Sequence, residues 1–229
     1  INVAIKVSLI VIVISVIFGM LLVNHQRKAL FESSIGKAKI AAMSGSYLIG
    51  KELEGVLERN EISQDKLFSN EYEAIPDTNP IRHLSPFTLL AEQYFPPIED
   101  SFMSDEELMY AVAITLDGYV PVHNSKYNEP LTGNFEHDTK YNRSRRLFRD
   151  EQNLSFLAKA ANNKSGTLVQ SYFQKDWDRI FWDVSAPIYV NGRHWGSFRV
   201  GITMQNVDHR IWGMWRYMIF FFGLMVIMV

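Results

Sequence analysis

The side chains that could do chemistry lie in the second half of the chain, and their types suit binding better than catalysis. Five of them are candidate ligand contacts: Tyr119, His123, Arg145, Tyr172 and Asp183. Phenol, imidazole, guanidinium and carboxylate groups together can hydrogen-bond a small polar molecule, and a guanidinium can also pair with an anion. The sequence therefore predicts a pocket for a small molecule.

Signatures of the common catalytic and metal sites are missing from the sequence. It contains no Gly-x-Ser-x-Gly, no glycine-rich phosphate loop and no His-Glu-x-x-His. Its six histidines lack the paired spacing of metal ligands, and it has no cysteine. A net charge of −2 also lacks the basic excess of a nucleic-acid binder. We therefore expect no enzyme activity, no metal, no cofactor and no nucleic-acid partner.

Two of the candidates lie on a predicted β-hairpin, Ala111–Asn124. The Asp117-Gly118 pair tolerates positive φ and joins two apolar runs. Because side chains alternate along a strand, Tyr119 and His123 would share one face of the second run. His123 is then either a pocket residue or a histidine bonded to the backbone at a turn.

Three arginines fall in the first turns of a helix predicted over Asn142–Ala161. Arg143, Arg145 and Arg146 would lie near its positive end, where a guanidinium could help to bind a carboxylate ligand. Alternatively, because cations are unfavourable at that end, each arginine needs an acidic partner and locks the helix onto the domain. We favour the structural role for two of them and take Arg145 as the ligand candidate.

Tyr172 and Asp183 lie on two neighbouring predicted strands. Asp183 is surrounded by apolar residues in the sequence, and an unpaired buried charge costs several kcal/mol. Its partner would be Arg199, Lys175 or an arginine of the helix. Such a pair is either structural or part of the pocket.

The elements that must position these residues form an α+β domain. After the helix come three strands joined in part by Asn191-Gly192, a strong hairpin signal: Thr167–Gln174, Ile180–Val190 and His194–Thr203. With the opening hairpin, the order is β-β-α-β-β-β. We predict a five-stranded antiparallel sheet with its helix between the second and third strands, and a loop over Ser125–Tyr141.

Two apolar segments flank this domain. Val7–Val23 carries no charge and is close to the ~20 residues needed to cross a hydrocarbon core of roughly 30 Å. Met218–Val229 is also uncharged, follows aromatic and basic residues typical of a membrane interface, and is too short to span. We expect two transmembrane helices, the second of them truncated, with an extracytoplasmic domain between them.

The region between the first span and the hairpin divides into a stalk and a lobe. Arg27–Arg59 has helical composition and apolar spacing, and a homodimer seam along it is one expectation. Glu61–Asp105 contains five prolines, which forbid a long helix, yet too many apolar residues for a disordered linker. The predicted boundaries are 1–24 for the first span, 25–60 for the stalk, 61–205 for the domain and 206–229 for the connector with the second span.

Four phrases resemble one family in order and spacing. They are DGYVPVHN at Asp117–Asn124, YNRSRRLF at Tyr141–Phe148, LVQSYFQKD at Leu168–Asp176 and DVSAPIYVNGRHWGSFRVGI at Asp183–Ile202. Together they are similar to the single Cache-like sensor domain of bacterial methyl-accepting chemotaxis proteins, which also lies between two spans. The resemblance implies a PAS-like fold, a periplasmic homodimer in the inner membrane, and a signal passed through the second span.

The chain also departs from that family. Members commonly have a Tyr-Arg-Arg-Asp stretch where this chain has Tyr172-Phe173-Gln174-Lys175-Asp176, and relatives that carry haem need cysteines that it lacks. The same sensor type is found on diguanylate cyclases and histidine kinases. Three functions therefore stay open: a chemoreceptor sensor, the same sensor on an enzyme, and a membrane anchor that only dimerises or recruits a partner. The arginines and tyrosines suit an anionic ligand, and equally a structural salt-bridge network.

Overall fold

The computed structural model describes residues 3–148, 154–174 and 178–227. These residues belong to two compact units. The first combines Ile1–Gly36 with Met204–Val229, and the second is Lys37–Thr203. The helices are α1 Val3–Glu58, α2 Gln64–Leu67, α3 Thr88–Ser101, α4 Phe135–Tyr141, α5 Leu154–Ala161 and α6 Gln205–Ile227, with 3₁₀ turns at Phe102–Ser104 and Ser125–Tyr127.

The strands belong to one main sheet and two small ones. They are β1 Glu73–Ile75, β2 Arg82–Leu84, β3 Leu108–Thr115, β4 Tyr119–Val120, β5 Arg146–Leu147, β6 Leu168–Gln174, β7 Arg179–Val190 and β8 Arg193–Ile202. The main sheet has the order β3-β8-β7-β6 with every pair antiparallel. The pairs β1-β2 and β4-β5 form separate two-stranded sheets. The fold is thus mixed α and β, with antiparallel sheets and a long N-terminal helix.

Helix α1 runs without interruption through the predicted stalk, whose helical form is confirmed. Of the helices described, it is the one long and apolar enough to cross a membrane, and its apolar segment is almost entirely exposed. Helix α6 contains residues 218–227 of the predicted second apolar segment, whose last two residues lie outside the described residues. The described part of α6 is not long and apolar enough to count as a candidate membrane span. The second span therefore stays a prediction.

The first unit is held together by contacts between the start of α1 and α6. Val23, Val207 and Ile211 form its buried core. The Arg27 Nη2 atom lies 3.9 Å from Asp208 Oδ1. Because both side chains are largely exposed, this ion pair contributes little to stability. The contacts among the apolar side chains therefore join the two helices more firmly than this ion pair does.

The last three predicted strands are confirmed as β6, β7 and β8. Asn191 and Gly192 both have positive φ, which is the geometry of the two-residue turn that their types predict. The predicted five-stranded sheet is wrong: within the described ranges, the main sheet has four strands. The second strand of the opening hairpin ends after Val120 and pairs with β5 instead of the main sheet.

The helix predicted over Asn142–Ala161 is also wrong over its first half. Backbone amides of Arg143, Arg145 and Phe148 donate to carbonyls of Tyr127, Pro121 and Gly118, respectively. These bonds draw the segment alongside the hairpin as β5, and Arg145 adopts a φ of +60°. Helix α5 begins at Leu154, while the predicted helical residues 149–153 lie outside the described residues.

Two further expectations are corrected upstream. Helix α3 continues through Pro96 and Pro97 to Ser101, so it is longer than the prolines were expected to allow. The stretch predicted as a loop, Ser125–Tyr141, contains α4, whose first turn is capped by the Asn134 side chain accepting from the His137 amide.

The two faces of the main sheet differ in chemistry. Because side chains alternate along β7 and β8, one face of the sheet carries only apolar side chains from the middle of these two strands. We call it the apolar sheet face and define it as Val184, Ala186, Phe198 and Val200. Helix α1 packs on it so closely that a Cβ atom at Gly45 would overlap the Phe198 ring and one at Gly50 would lie 2.7 Å from the Tyr189 carbonyl. Glycine is required at both contacts. The opposite face carries the polar residues described next.

Candidate functional site

The opposite face of the main sheet carries a group of buried polar side chains. We call it the polar sheet face and define it as Tyr110, Tyr172, Asp183, Ser185, Ser197 and Arg199. Strand register brings them together, because Tyr172 lies two residues along β6 from Gln170, the direct partner of Asp183, and Ser185 is directly opposite Arg199. All four strands of the sheet contribute to this group.

Asp183 and Arg199 form a buried ion pair at the centre of this face. The Arg199 Nε donates to both carboxylate oxygens, at 3.0 and 3.1 Å, and its Nη2 lies 3.0 Å from Oδ1. Burial acts to lower the pKa of Arg199, but attraction to Asp183 outweighs it, so the net pKa is raised. The guanidinium therefore stays charged, and Arg199 is the partner of Asp183 among the three that the sequence offered.

Two tyrosines extend the hydrogen-bond network of the Asp183–Arg199 ion pair. The Tyr110 hydroxyl donates to Asp183 Oδ1 at 2.9 Å and lies 3.4 Å from the Tyr172 hydroxyl. Burial raises the pKa of both phenols, and the charge of Asp183 raises that of Tyr110 further. Both therefore remain neutral hydrogen-bonding groups at physiological pH.

His123 borders this face from the segment that follows β4. Its ring lies between those of Tyr110 and Tyr127, with centroid distances of 6.0 and 5.1 Å. Burial lowers the pKa of His123 to about 3, helped by the positive charge of Arg143, so the imidazole is neutral. Within the described ranges, its buried Nδ1 atom has no hydrogen-bond partner.

Like His123, the two serines of the polar sheet face have buried polar atoms without a hydrogen-bond partner among the described residues. Ser185 and Ser197 are fully buried. In the part of the chain that the structure describes, neither hydroxyl oxygen has a hydrogen-bond partner. Most buried polar atoms in proteins are hydrogen-bonded, and leaving one unpaired costs about 1–3 kcal/mol. The polar sheet face thus combines a satisfied ion pair with unsatisfied neutral groups around it.

Tyr119 and Arg145 belong to a different group, which we call the lobe contact: Tyr72, Thr88, Glu92, Tyr119 and Arg145. The Tyr119 hydroxyl lies 2.8 Å from Thr88 Oγ1 and donates to the His83 carbonyl at 2.9 Å. Its ring packs on that of Tyr72 at 4.9 Å. Burial raises the pKa of Tyr119 to about 12.

The arginine of the lobe contact has an acidic partner. Arg145 donates to both carboxylate oxygens of Glu92 on α3, with 2.7 Å between Nη2 and Oε2. Hydrogen bonds to Glu92 raise the pKa of Arg145. This arginine therefore fastens the segment before β5 to the lobe. From the sequence, Arg145 is the ligand candidate and the structural role is favoured for the other two arginines.

The structure thus divides the five predicted site residues. His123, Tyr172 and Asp183 meet at the polar sheet face, whereas Tyr119 and Arg145 lie in the lobe contact. Tyr119 and His123 do not share a strand face, because β4 ends at Val120. Tyr110 and the two serines were missed, since only the register of β3, β7 and β8 places them beside Asp183.

The described residues offer no set of three or more histidine, aspartate or glutamate side chains arranged to hold a metal ion. The groups available at the polar sheet face are hydroxyls, one imidazole and one ion pair. Such groups orient a small molecule by hydrogen bonds.

Comparison with known proteins gives structural similarity only. No family model matches the chain, and no curated protein matches it significantly. The isoleucine-bound sensory domain of the Campylobacter jejuni chemoreceptor Tlp3 aligns over 82% of this chain and 66% of its own, with 13% identity and a TM-score of 0.37. The sensor domain of the V. cholerae histidine kinase DctB aligns over 83% and 59%, with 12% identity and a TM-score of 0.38.

The Tlp3 domain with L-valine gives similar values: 12% identity, 82% of this chain, 66% of that chain and a TM-score of 0.39. The chain thus spans somewhat less than two thirds of these neighbours. These neighbours are described as sensory or ligand-binding domains of a chemoreceptor and of a histidine kinase.

Proposed function

We propose that this chain is the extracytoplasmic sensing module of a receptor anchored in the bacterial inner membrane. It binds a small molecule at the polar sheet face and catalyses no reaction. The observation that carries this proposal is that, among the described residues, His123, Ser185 and Ser197 each have a buried polar atom without a hydrogen-bond partner, beside a fixed ion pair. A ligand that hydrogen-bonds these atoms removes the cost of their burial.

The ion pair and the unpartnered atoms have different roles in this proposal. Asp183 is neutralised by Arg199 and bonded to Tyr110, so it fixes the shape of the site. The neutral imidazole of His123 and the hydroxyls of Ser185 and Ser197 bond to the ligand, and the phenol of Tyr172, which lies 3.4 Å from that of Tyr110, lines the site beside them. Because the described groups present no uncompensated carboxylate, a neutral or anionic molecule fits this face better than an amine.

The same strands that carry the site also hold helix α1. The Ser46 hydroxyl donates to the Pro187 carbonyl on β7, and the Asn191 amide donates to Glu54 Oε1 at 3.0 Å. A ligand that changes the spacing of β7 and β8 therefore changes which packing of α1 is favoured. Signalling is then a shift between two packings.

A chemotaxis receptor is the output that the sequence resemblance favours, and a histidine kinase or diguanylate cyclase is the second candidate. The sensor chemistry is the same in both. Reading the coding sequence past the Val229 codon distinguishes them, because a kinase or cyclase domain there would rule out the chemotaxis assignment.

The sensing proposal is tested by a thermal-shift screen of the full chain in detergent. Organic acids, amino acids, amines and purines are screened at concentrations well above the expected dissociation constants, since stabilisation grows with ligand excess. We expect at least one compound to raise the melting temperature of the wild type but not that of His123→Phe. If all four classes leave the wild type unchanged, the chain is an anchor and not a direct sensor.

A further inference from the structure

The start of α6 lies at the level where the apolar segment of α1 ends. Val23, the last residue of that segment, packs with Val207 and Ile211 in the buried core of the first unit. A Cβ atom at Gly19, one turn earlier in α1, would overlap the side chain of Met218, which comes later in α6. The two helices therefore run antiparallel, and the first turns of α6 lie beside the end of the segment that is apolar enough to cross a membrane.

A groove runs along one side of α6 at this level. It has a volume of about 450 Å³ and is lined by Asp208, Ile211, Trp212, Trp215 and Ile219. Apart from Asp208 the lining is apolar or aromatic, and the side chains of Trp212 and Ile219 are more than half exposed. Tryptophan is typical of the membrane–water interface, because its ring is apolar while its N–H group hydrogen-bonds at the level of the headgroups. The groove is therefore suited to a lipid at the membrane surface.

An arginine lies beside the aromatic part of this groove. Arg216 follows Trp212 by four residues, so it lies one turn further along nearly the same side of α6. Its side chain is exposed, and within the described ranges it takes part in no ion pair. A guanidinium that no carboxylate occupies is suited to bind a phosphate group through two of its N–H groups.

The surface around the groove has an excess of positive charge. Residues 24–32 and 205–217 contain four arginines and lysines but two acidic residues, Asp208 and Glu32. Asp208 lies 3.9 Å from Arg27, and Glu32 lies 3.9 Å from Lys28, so each carboxylate is offset by a basic neighbour. Basic residues beside a membrane segment attract anionic headgroups. An anionic lipid therefore fits this surface better than a zwitterionic one.

We propose that this groove binds an anionic phospholipid with a single phosphate, of the phosphatidylglycerol class. Its phosphate pairs with the Arg216 guanidinium, and one acyl chain lies in the groove against Trp215 and Ile219. A headgroup with hydroxyl groups suits the Asp208 end of the groove, because a carboxylate accepts hydrogen bonds but repels a second phosphate. The proposal rests on the membrane anchoring of the chain and is independent of ligand sensing at the polar sheet face.

Native mass spectrometry of the full chain, released from detergent, tests the lipid preference. Phosphatidylglycerol, phosphatidylcholine and phosphatidylethanolamine with the same acyl chains are titrated into the wild type, Arg216→Gln and the matched control Arg210→Gln. Arg210 is also exposed, but it lies two residues before Trp212 and therefore on the opposite side of α6. We expect the wild type and Arg210→Gln to bind phosphatidylglycerol about tenfold more tightly than the other two lipids, and Arg216→Gln to lose this preference.

Two results of this titration would overturn the proposal. One is equal affinity of the wild type for the three lipids, and the other is the same loss of phosphatidylglycerol binding in both arginine variants. Glycerol 3-phosphate carries the phosphate without acyl chains, so an excess of it should leave phosphatidylglycerol bound. Its displacement of the lipid at equal concentration would show a phosphate site without a chain-binding groove, which also contradicts the proposal.

Tryptophan fluorescence tests the position of the acyl chain. The full chain is placed in phosphatidylcholine nanodiscs with a small fraction of phosphatidylglycerol whose acyl chains carry bromine, which quenches tryptophan on contact. This lipid should quench the wild type more than the same fraction of brominated phosphatidylcholine, and the difference should vanish in the double variant Trp212→Phe and Trp215→Phe. An unchanged difference in the double variant would overturn the assignment. The small-molecule screen does not depend on this result, so failure of the lipid site and failure of sensing are distinguishable.

Discussion

The polar sheet face and the lobe contact contain the same kinds of side chain but differ in how completely these are bonded. In the lobe contact, the Tyr119 hydroxyl has two partners and Arg145 pairs with both oxygens of Glu92. At the polar sheet face, Asp183 and Arg199 are paired, while the imidazole of His123 at its border has a nitrogen without a hydrogen-bond partner among the described residues. Complete bonding indicates a structural joint, whereas under the sensing proposal the incomplete bonding at the polar sheet face is completed by a ligand.

The largest effect is expected at the ion pair that holds the polar sheet face together. Asp183→Asn leaves Arg199 buried and unpaired, so we expect a loss of about 3–5 kcal/mol in the free energy of unfolding. Chemical denaturation measures this loss. The double variant with Arg199→Gln carries no charge at either of these two positions and should recover part of the stability. A single variant as stable as the wild type would mean that the pair does not form.

The pH dependence of stability probes the other part of this face. The pKa of His123 is lowered to about 3 by burial, below the ordinary value near 6.5, so the folded state favours the neutral ring. Its contribution is complete above pH 6.5 and is lost as the pH falls towards 3. Between pH 7 and pH 5 this loss amounts to at most about 2 kcal/mol.

Unfolding at pH 7 and pH 5 should show that His123→Phe loses less stability than the wild type. Glu99, whose pKa is raised well above the ordinary value by burial, acts in the opposite direction, because the stability that it contributes is lost as the pH rises. Glu99 is present in both proteins, so its effect cancels in the comparison. Equal losses would show that His123 is not buried as a neutral ring.

A smaller effect is expected in the lobe contact. Arg145→Ala removes a half-buried ion pair, which is worth about 1 kcal/mol. Arg145→Gly removes the same pair but relieves a φ of +60°, which costs a residue with a side chain about 1 kcal/mol. We expect the glycine variant to be more stable than the alanine variant in denaturant unfolding. The opposite order would contradict the positive φ at this position.

The sequence predicts those parts of the fold that local signals determine. Helix α1 follows from composition, and β7-β8 follows from Asn191-Gly192. The helix predicted from Asn142 to Phe148 is wrong, because the backbone hydrogen bonds of this segment to the hairpin outweigh its helical sequence pattern.

The candidate site is predicted only in part, because some of its residues are brought together by contacts that are distant in the sequence. Asp183 needs a partner wherever it is buried, but Tyr110 and Ser185 become neighbours only through the register of distant strands.

Binding of one compound to three proteins tests the central claim most directly. The compound that most stabilises the wild type is titrated calorimetrically into the wild type, His123→Phe and Arg145→Gly. We predict that affinity is lost in His123→Phe and unchanged in Arg145→Gly, because only the first alters an unpartnered atom of the polar sheet face. Unchanged affinity in His123→Phe, or a loss confined to Arg145→Gly, would contradict the account.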